Sequence, residues 1–279
     1  MYSNRLYSPL RYPGGKATFA PFMAEIMDTN DLTGGHYLEP YAGGAGVALD
    51  LLFSGNASHV HINDVDPAVH AFWIAATRYS QQLCDLLEST PVTIDEWFKW
   101  RAVLNGTNAG SVVERGFATL FMNRTNRSGI LTAGVIGGKD QAGEYKLDAR
   151  FRKDMIAARL RAISDHAQDI SVYCEDALQL LRRCSRILPR KSLIYLDPPY
   201  YVKGKHLYRN FYKHDDHVAV AATLQKKAFT RPRVVSYDDV EPIRDMYQHS
   251  ASLSYGLNYT AQRRYVGSEV MFFSNRLNV

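Results

Sequence analysis

The tetrapeptide Asp197-Pro198-Pro199-Tyr200 directly follows an apolar run, Ser192-Leu193-Ile194-Tyr195-Leu196. Two consecutive prolines remove two N–H donors and hold the chain extended, so the flanking carbonyls stay free to accept hydrogen bonds. A carboxylate, free carbonyls and an aromatic ring at the end of a buried strand make a flat slot. Such a slot accepts the hydrogens of an amino group while a ring stacks against it. The competing reading is a proline-stiffened loop with a capping aspartate. A second constellation lies upstream, where Glu39-Pro40-Tyr41-Ala42-Gly43-Gly44-Ala45-Gly46 is followed about 20 positions later by Asp64. Glycines after a strand let a ligand approach the backbone, and a carboxylate at the end of the next strand can accept from both hydroxyls of a ribose.

Other phosphate and nucleotide chemistries are disfavoured. The spacing Gly-x-Gly-x-x-Gly of nicotinamide-binding turns is absent. Pro13-Gly14-Gly15-Lys16 ends in Gly-Lys, but Leu10 stands where a phosphate loop needs its first glycine. Ala17 replaces the Ser or Thr that would hold magnesium. No His, Cys and Asp residues fall at metal-ligand spacing, so no metal is expected.

These residues need elements that place them. His36-Tyr37-Leu38 reads as a strand, Val47 to Phe53 as a helix stopped by Gly55-Asn56, and His59-Val60-His61-Ile62 as a second strand ending at Asn63-Asp64. Asp66 is suited to cap a helix starting near Pro67. Arg233 to Tyr237 reads as a further strand, followed by a helix near Val240 to Tyr247. Arg264-Tyr265-Val266 and Val270 to Phe273 read as a hairpin turned at Gly267-Ser268. Between roughly Ala75 and Asp154 the pattern becomes helical (Glu96 to Leu104, Glu114 to Met122). It leads into a polar, basic turn, Asn123-Arg124-Thr125-Asn126-Arg127-Ser128-Gly129. The expected division is a catalytic unit of residues 1–74 and 155–279, with an inserted subdomain at 75–154.

The 279-residue chain is 46% hydrophobic and 22% charged, which suits a globular fold and excludes a disordered chain. No window approaches a membrane span, and the N-terminus does not read as a signal peptide. Cys84, Cys174 and Cys184 show no paired spacing and read as reduced thiols of a cytoplasmic protein. The net charge of +5 is unevenly spread. Residues 1–100 hold 5 Lys+Arg against 11 Asp+Glu, and the remainder holds 28 against 17. A strongly basic portion suggests a polyanionic partner.

In motif order the chain resembles DNA adenine-N6 methyltransferases of the Dam type. The resemblance implies an α/β fold, a doubly wound Rossmann-like sheet that uses S-adenosyl-L-methionine. The insert becomes a mostly helical target-recognition subdomain. Arg11-Tyr12-Pro13-Gly14-Gly15-Lys16 resembles the N-terminal motif, implying that Tyr12 and Lys16 contact the cofactor and Arg11 faces DNA. Glu39, Pro40, Gly43 and Gly44 would cradle the methionine end, and Asp64 the ribose. Asp176 and Ala177, within Tyr173-Cys174-Glu175-Asp176-Ala177, would read the cofactor's adenine. Asp197, Pro198 and Tyr200 match the catalytic motif, with Asp197 also toward the cofactor.

The implied reaction has Asp197 and the Pro198 carbonyl accept the hydrogens of an adenine amine flipped out of double-stranded DNA, with Tyr200 stacking on the base. Asn123-Arg124 and Gly129 resemble the recognition hairpin. GATC-reading relatives carry arginine three residues after that glycine; Thr132 stands there, so a target other than GATC is expected. Further candidates for DNA contact are Arg127 and Lys139 in the insert, Lys203, Lys205, Arg209 and Lys213 after the catalytic loop, and Arg263 and Arg264. The histidines read as capping and surface residues, and a monomer is the default. RNA or a protein glutamine as substrate, and a DNA-binding protein without turnover, are the alternatives. Enzymes acting on glutamine usually carry Asn in place of the first aspartate.

Overall fold

The computed structural model describes residues 7–11, 16–202, 212–259 and 265–279. Its centre is a seven-stranded sheet in the order β3-β2-β1-β4-β5-β7-β6. The strands are β1 Gly35–Glu39, β2 Ala57–Asn63, β3 Ile170–Tyr173, β4 Ser192–Leu196, β5 Arg233–Asp238, β6 Ala251–Tyr259 and β7 Tyr265–Phe273. The first five run parallel, and β7 lies antiparallel between β5 and β6. Parallel strands need crossover helices, which bury both faces of the sheet. Along β4 the alternation is plain: Leu193 and Tyr195 enter one core, Ile194 and Leu196 the other.

The first core is closed by α1 Ala20–Thr29, α2 Gly46–Phe53, α3 Pro67–Arg78, α4 Ser80–Ser89, α5 Ile94–Leu104, α6 Val112–Thr125 and α7 Lys153–Asp165. The second is closed by α8 Ala177–Ile187, α9 His214–Leu224 and α10 Glu241–Met246. The helix starts follow local chemistry. Asp66 accepts from the Ala68 N–H ahead of Pro67, and Ser111 with Glu114 forms a reciprocal capping box on α6. The strand order reverses between β1 and β4. In open α/β sheets the crevice for ligands lies at the carboxyl ends of the strands at such a point.

The helices of residues 75–154 do not have a core of their own. Trp97, Trp100, Phe117 and Phe121 belong to the same buried cluster as Trp73 and Met23. α6 crosses α3 closely at Gly116, where an added Cβ would stand 2.7 Å from the Ala75 Cβ and 2.8 Å from the Ala71 carbonyl oxygen. α3 itself runs through the boundary expected at residue 74.

Three local expectations are corrected. Asn123, Arg124 and Thr125 are the buried last turn of α6, and the turn begins only at Asn126. Their polar side chains suggested exposure, but each finds an internal partner. Gly267 and Ser268 are not a hairpin turn: they pair with Leu257 and Gly256 inside one continuous β6–β7 ladder. The serine-rich β6 has no apolar run to announce it. His61 and His217 are buried at 4% and 1% exposure, not surface residues. His61 sits between His36, 3.0 Å away, and the Tyr173 hydroxyl, 2.9 Å away; His217 meets the Tyr237 hydroxyl.

Candidate active site

Two clusters of side chains meet at the carboxyl ends of β1 and β4. On the β1–β2 side the glycine turn is held from three directions. Asp64 accepts the Gly43 N–H on Oδ2 and the Asp66 N–H on Oδ1. The Trp73 indole N–H donates to the Gly43 carbonyl at 2.9 Å, and the Ala42 N–H reaches the Asn63 carbonyl. Gly43 itself has φ of 46°, a left-handed conformation that favours glycine, and Ala45 adopts it too. Burial raises the Asp64 carboxyl to about 7, although the two backbone N–H groups oppose the shift. Glu39, 5% exposed at the end of β1, accepts the Ala48 N–H, and burial raises it to about 8.

Asn63 is a connection that residue type alone did not reveal. Its amide donates to the Pro40 and Glu175 carbonyls, and its Oδ1 accepts the Glu175 N–H. One side chain therefore ties together the segments after β1, β2 and β3. Asp176, next in the chain, caps α8 by accepting the Gln179 N–H, and Ala177 opens that helix in a buried position.

The second cluster surrounds Asp197. Lys16, 6% exposed, lies 2.8 Å from Glu269, 3.0 Å from the Tyr200 hydroxyl and 3.5 Å from Asp197 Oδ1. Tyr200 and Tyr255 both donate to Glu269, which is fully buried on β7. Ser236 on β5 donates to Asp197 Oδ1, and Tyr195 on β4 lies 2.9 Å from the same serine. Both described contacts of the Asp197 carboxylate converge on Oδ1. Among the described residues Oδ2 accepts no bond, and 23% of the side chain is exposed. Burial raises the Asp197 carboxyl above the usual range, and the Lys16 charge acts in the opposite direction.

Tyr200 departs from the expected stacking platform. Its side chain is 2% exposed, with the Lys16 ammonium 5.1 Å from the ring centroid. In this arrangement it anchors the loop through its hydroxyl. Glu269, which the sequence alone did not single out, is the other end of that anchor. A carboxylate set against Val270-Met271-Phe272-Phe273 in an apolar strand was the signal for it.

On the insert side, Asn123 is 2% exposed and spends both polar atoms internally. Its Oδ1 accepts the Arg11 N–H, and its amide donates to the Arg11 and Gly129 carbonyls. Arg124, 5% exposed, donates to the Pro9 carbonyl. Both residues, expected to contact DNA, are buried in the free chain and hold internal partners. Gly129 carries φ of 76° and packs so close to Arg11 that a Cβ would stand 2.4 Å from its carbonyl oxygen. Asn126 accepts the Trp97 indole N–H and donates to the Ile130 and Leu131 carbonyls, bracing the loop beyond. Arg127 and Lys139 are exposed on that loop. Tyr12, Lys203, Lys205, Arg209, Arg263 and Arg264 lie outside the described residues. Among the described residues no group of three or more His, Cys, Asp or Glu is placed to hold a metal ion, and no helix is long and apolar enough to cross a membrane.

Residues 12–262 match the family model described as D12 class N6 adenine-specific DNA methyltransferase. No match is found among curated proteins. Solved structures that resemble the chain include a candidate RNA methyltransferase from Pyrococcus horikoshii, at 11% identity and TM-score 0.42, covering 98% of this chain and 89% of that one. Another is a SAM-dependent methyltransferase from Agrobacterium tumefaciens, at 11% identity and TM-score 0.41, covering 92% of this chain and 60% of that one.

Proposed function

Because the chain belongs to the D12 class of N6 adenine-specific DNA methyltransferases, we propose that it moves a methyl group from S-adenosyl-L-methionine to the N6 amine of an adenine flipped out of a short site in double-stranded DNA. We read that site as other than GATC, and the enzyme as a cytoplasmic monomer. The observation that carries the reading is the lopsided Asp197 carboxylate. Ser236 and Lys16 occupy Oδ1, and Oδ2 faces outward with no described partner.

The residues present fit the methyl donor. A side-chain-free turn at Gly43 and Gly44 admits close approach, Asp64 offers oxygens for a ribose diol, and Glu39 and Asp197 offer carboxyl oxygens at the ends of β1 and β4. Tyr12, Lys16, Pro40, Asp176 and Ala177 complete the expected binding set. When bound, S-adenosyl-L-methionine supplies an electrophilic methyl on sulfur.

An exocyclic adenine amine is a poor nucleophile because its lone pair is delocalised into the ring. Asp197 Oδ2 accepts one amino hydrogen and the Pro198 carbonyl the other, which turns the lone pair out of the ring plane. Positioning and fixed electrostatics therefore carry the rate enhancement. The Lys16 charge opposes the rise that burial imposes on the Asp197 carboxyl, and Tyr200 with Glu269 fixes the loop that presents it. Arg127 and Lys139, with Lys203, Lys205, Arg263 and Arg264, supply groove and phosphate contacts. Extruding the base costs a few kcal/mol, met by contacts in the slot.

The test is transfer of labelled methyl to unmethylated genomic DNA, mapped at base resolution. N6-methyladenine in one short motif is the expected result. Asp197→Ala should lower the rate at least about a hundred- to a thousandfold with an unchanged fold by circular dichroism. Substantial methylation by that variant would overturn the mechanism.

A further inference from the structure

Four arginines from four separate segments converge beside the N-terminal strap of residues 7–11. They are Arg11 itself, Arg124 in the last turn of α6, Arg150 in the segment before α7, and Arg159 on α7. The charges of Arg159 and Arg11 both act on Arg124, and that of Arg150 acts on Arg11. Burial and these like charges push the Arg124 guanidinium below its ordinary value; burial does the same to Arg159. Two backbone carbonyls meet part of the donor capacity, Pro9 for Arg124 and Ser8 for Arg159. The Met155 sulfur takes a further Arg159 N–H, but Arg124 Nε and Arg11 Nη1 are buried with no hydrogen-bond partner among the described residues.

No carboxylate answers these charges. Every aspartate and glutamate of the chain lies among the described residues, and none forms an ion pair with any of the four arginines. Buried donors left unmade and buried like charges are both unfavourable, so this arrangement favours an external anion with several acceptor oxygens. Planar guanidinium forks match the tetrahedral oxygens of a phosphate, with up to two parallel bonds from each fork. The frame is also preset. Asn123 grips both the N–H and the carbonyl of Arg11 at 2.7 Å, and Gly129 lets the backbone of Arg11 close in.

The position selects the source of that phosphate. Arg11 precedes Lys16 by five residues, a span of at most about 18 Å of extended chain. Lys16 lies 3.5 Å from Asp197. A duplex delivering a base to Asp197 thus brings its backbone within reach of the strap. We propose that Arg11, Arg150 and Arg159, with Arg124 behind them, form a pocket for one phosphodiester of the substrate duplex. The proposal rests on the DNA reading above and adds the site that fixes the duplex to the strap.

A scan of duplexes in which one phosphate at a time is a neutral methylphosphonate tests it, with binding measured in the absence of methyl donor. The full chain should lose about tenfold or more in affinity at one backbone position. Arg11→Gln and Arg150→Gln should bind more weakly overall yet show no loss at that position, since the contact is already gone. Their plots of log affinity against log salt should be shallower by about one. Neither side chain donates a described hydrogen bond, so neither substitution removes one that the fold uses. Inorganic phosphate alone should raise the melting temperature of the full chain and raise that of both variants less.

Identical scans for the three proteins, with methyl transfer intact, would overturn the pocket and leave the proposed function standing. A phosphate-dependent melting shift lost in the variants, in a protein that transfers no methyl to DNA, would do the reverse.

Discussion

Around Asp197 each buried charge has an opposite neighbour within 4 Å: Lys16 stands between Glu269 and Asp197, and two tyrosine hydroxyls close the ring. Around Arg124 three further arginines gather, and the described partners of their side chains are two backbone carbonyls and the Met155 sulfur, with no carboxylate among them. The two clusters are joined by the short span of chain from Arg11 to Lys16. The first is complete in the free protein and needs only to hold its shape while an amine is seated. The second stays unbalanced until a ligand brings negative charge. The difference separates what the chain pre-organises from what it leaves for its substrate to finish, which is the economy expected where binding is coupled to catalysis.

The comparison can be broken most sharply at Asp197, where loss of the side chain should remove methyl transfer without unfolding the protein. Next in size is Glu269→Leu. Removing Glu269 leaves Lys16 only the longer ion pair with Asp197 and strips the Tyr200 and Tyr255 hydroxyls of this acceptor, and a stability loss of about 3–5 kcal/mol by urea denaturation is expected. A loss below about 1 kcal/mol would show that water reaches Lys16 and that the cluster is not closed.

A third, neutral cluster offers a calibration by pH. His61, packed against His59 and His36, is held down to about 3 by burial first and by those neighbours second. The unfolded chain, with an ordinary histidine value near 6.5, binds the proton first as pH falls. Stability from His61 is therefore fully present above about 6.5 and declines toward about 3, by up to about 1.4 kcal/mol per pH unit. His61→Asn should flatten that part of the stability–pH curve; an unchanged acid limb would assign it to carboxylates instead.

Smallest is Arg150→Gln. Taking one charge from an uncompensated, partly exposed group should shift stability by no more than about 0.5 kcal/mol, and toward greater stability. A clear destabilisation would mean that Arg150 has an internal partner, and the contrast between the two clusters would fail.

Four of the five parallel strands, β1, β2, β4 and β5, and the loop after β4 were legible because their signals are local, whereas β3 was not read. An apolar run ending in Asp-Pro-Pro-Tyr, or a glycine turn followed by an acid, is written in adjacent residues. β6 was missed because Ser252, Ser254 and Gly256 show no strand pattern, and their pairing with β7 supplies the stabilisation. Glu269 and Asn63 escaped for a related reason. Each acts on residues far away in sequence, from Lys16 to Glu269 and from Asn63 to Glu175, and such contacts leave no spacing to read. Asn123 and Arg124 were placed on the wrong side of the surface because polarity was taken for exposure. Burial with internal partners is the other way a polar residue persists, as Asn123 shows with both of its polar atoms bonded.

The bracing of the loop beyond α6 has a consequence for retargeting. Trp97 and Asn126 grip that loop from within, and Asn123 with Gly129 fastens its base to the strap, so the framework is supplied by buried side chains. Thr132 and its neighbours at the tip are spared that duty. If that tip reads the duplex as proposed, a library confined to it should change the methylated motif, mapped at base resolution, and leave the melting temperature unchanged.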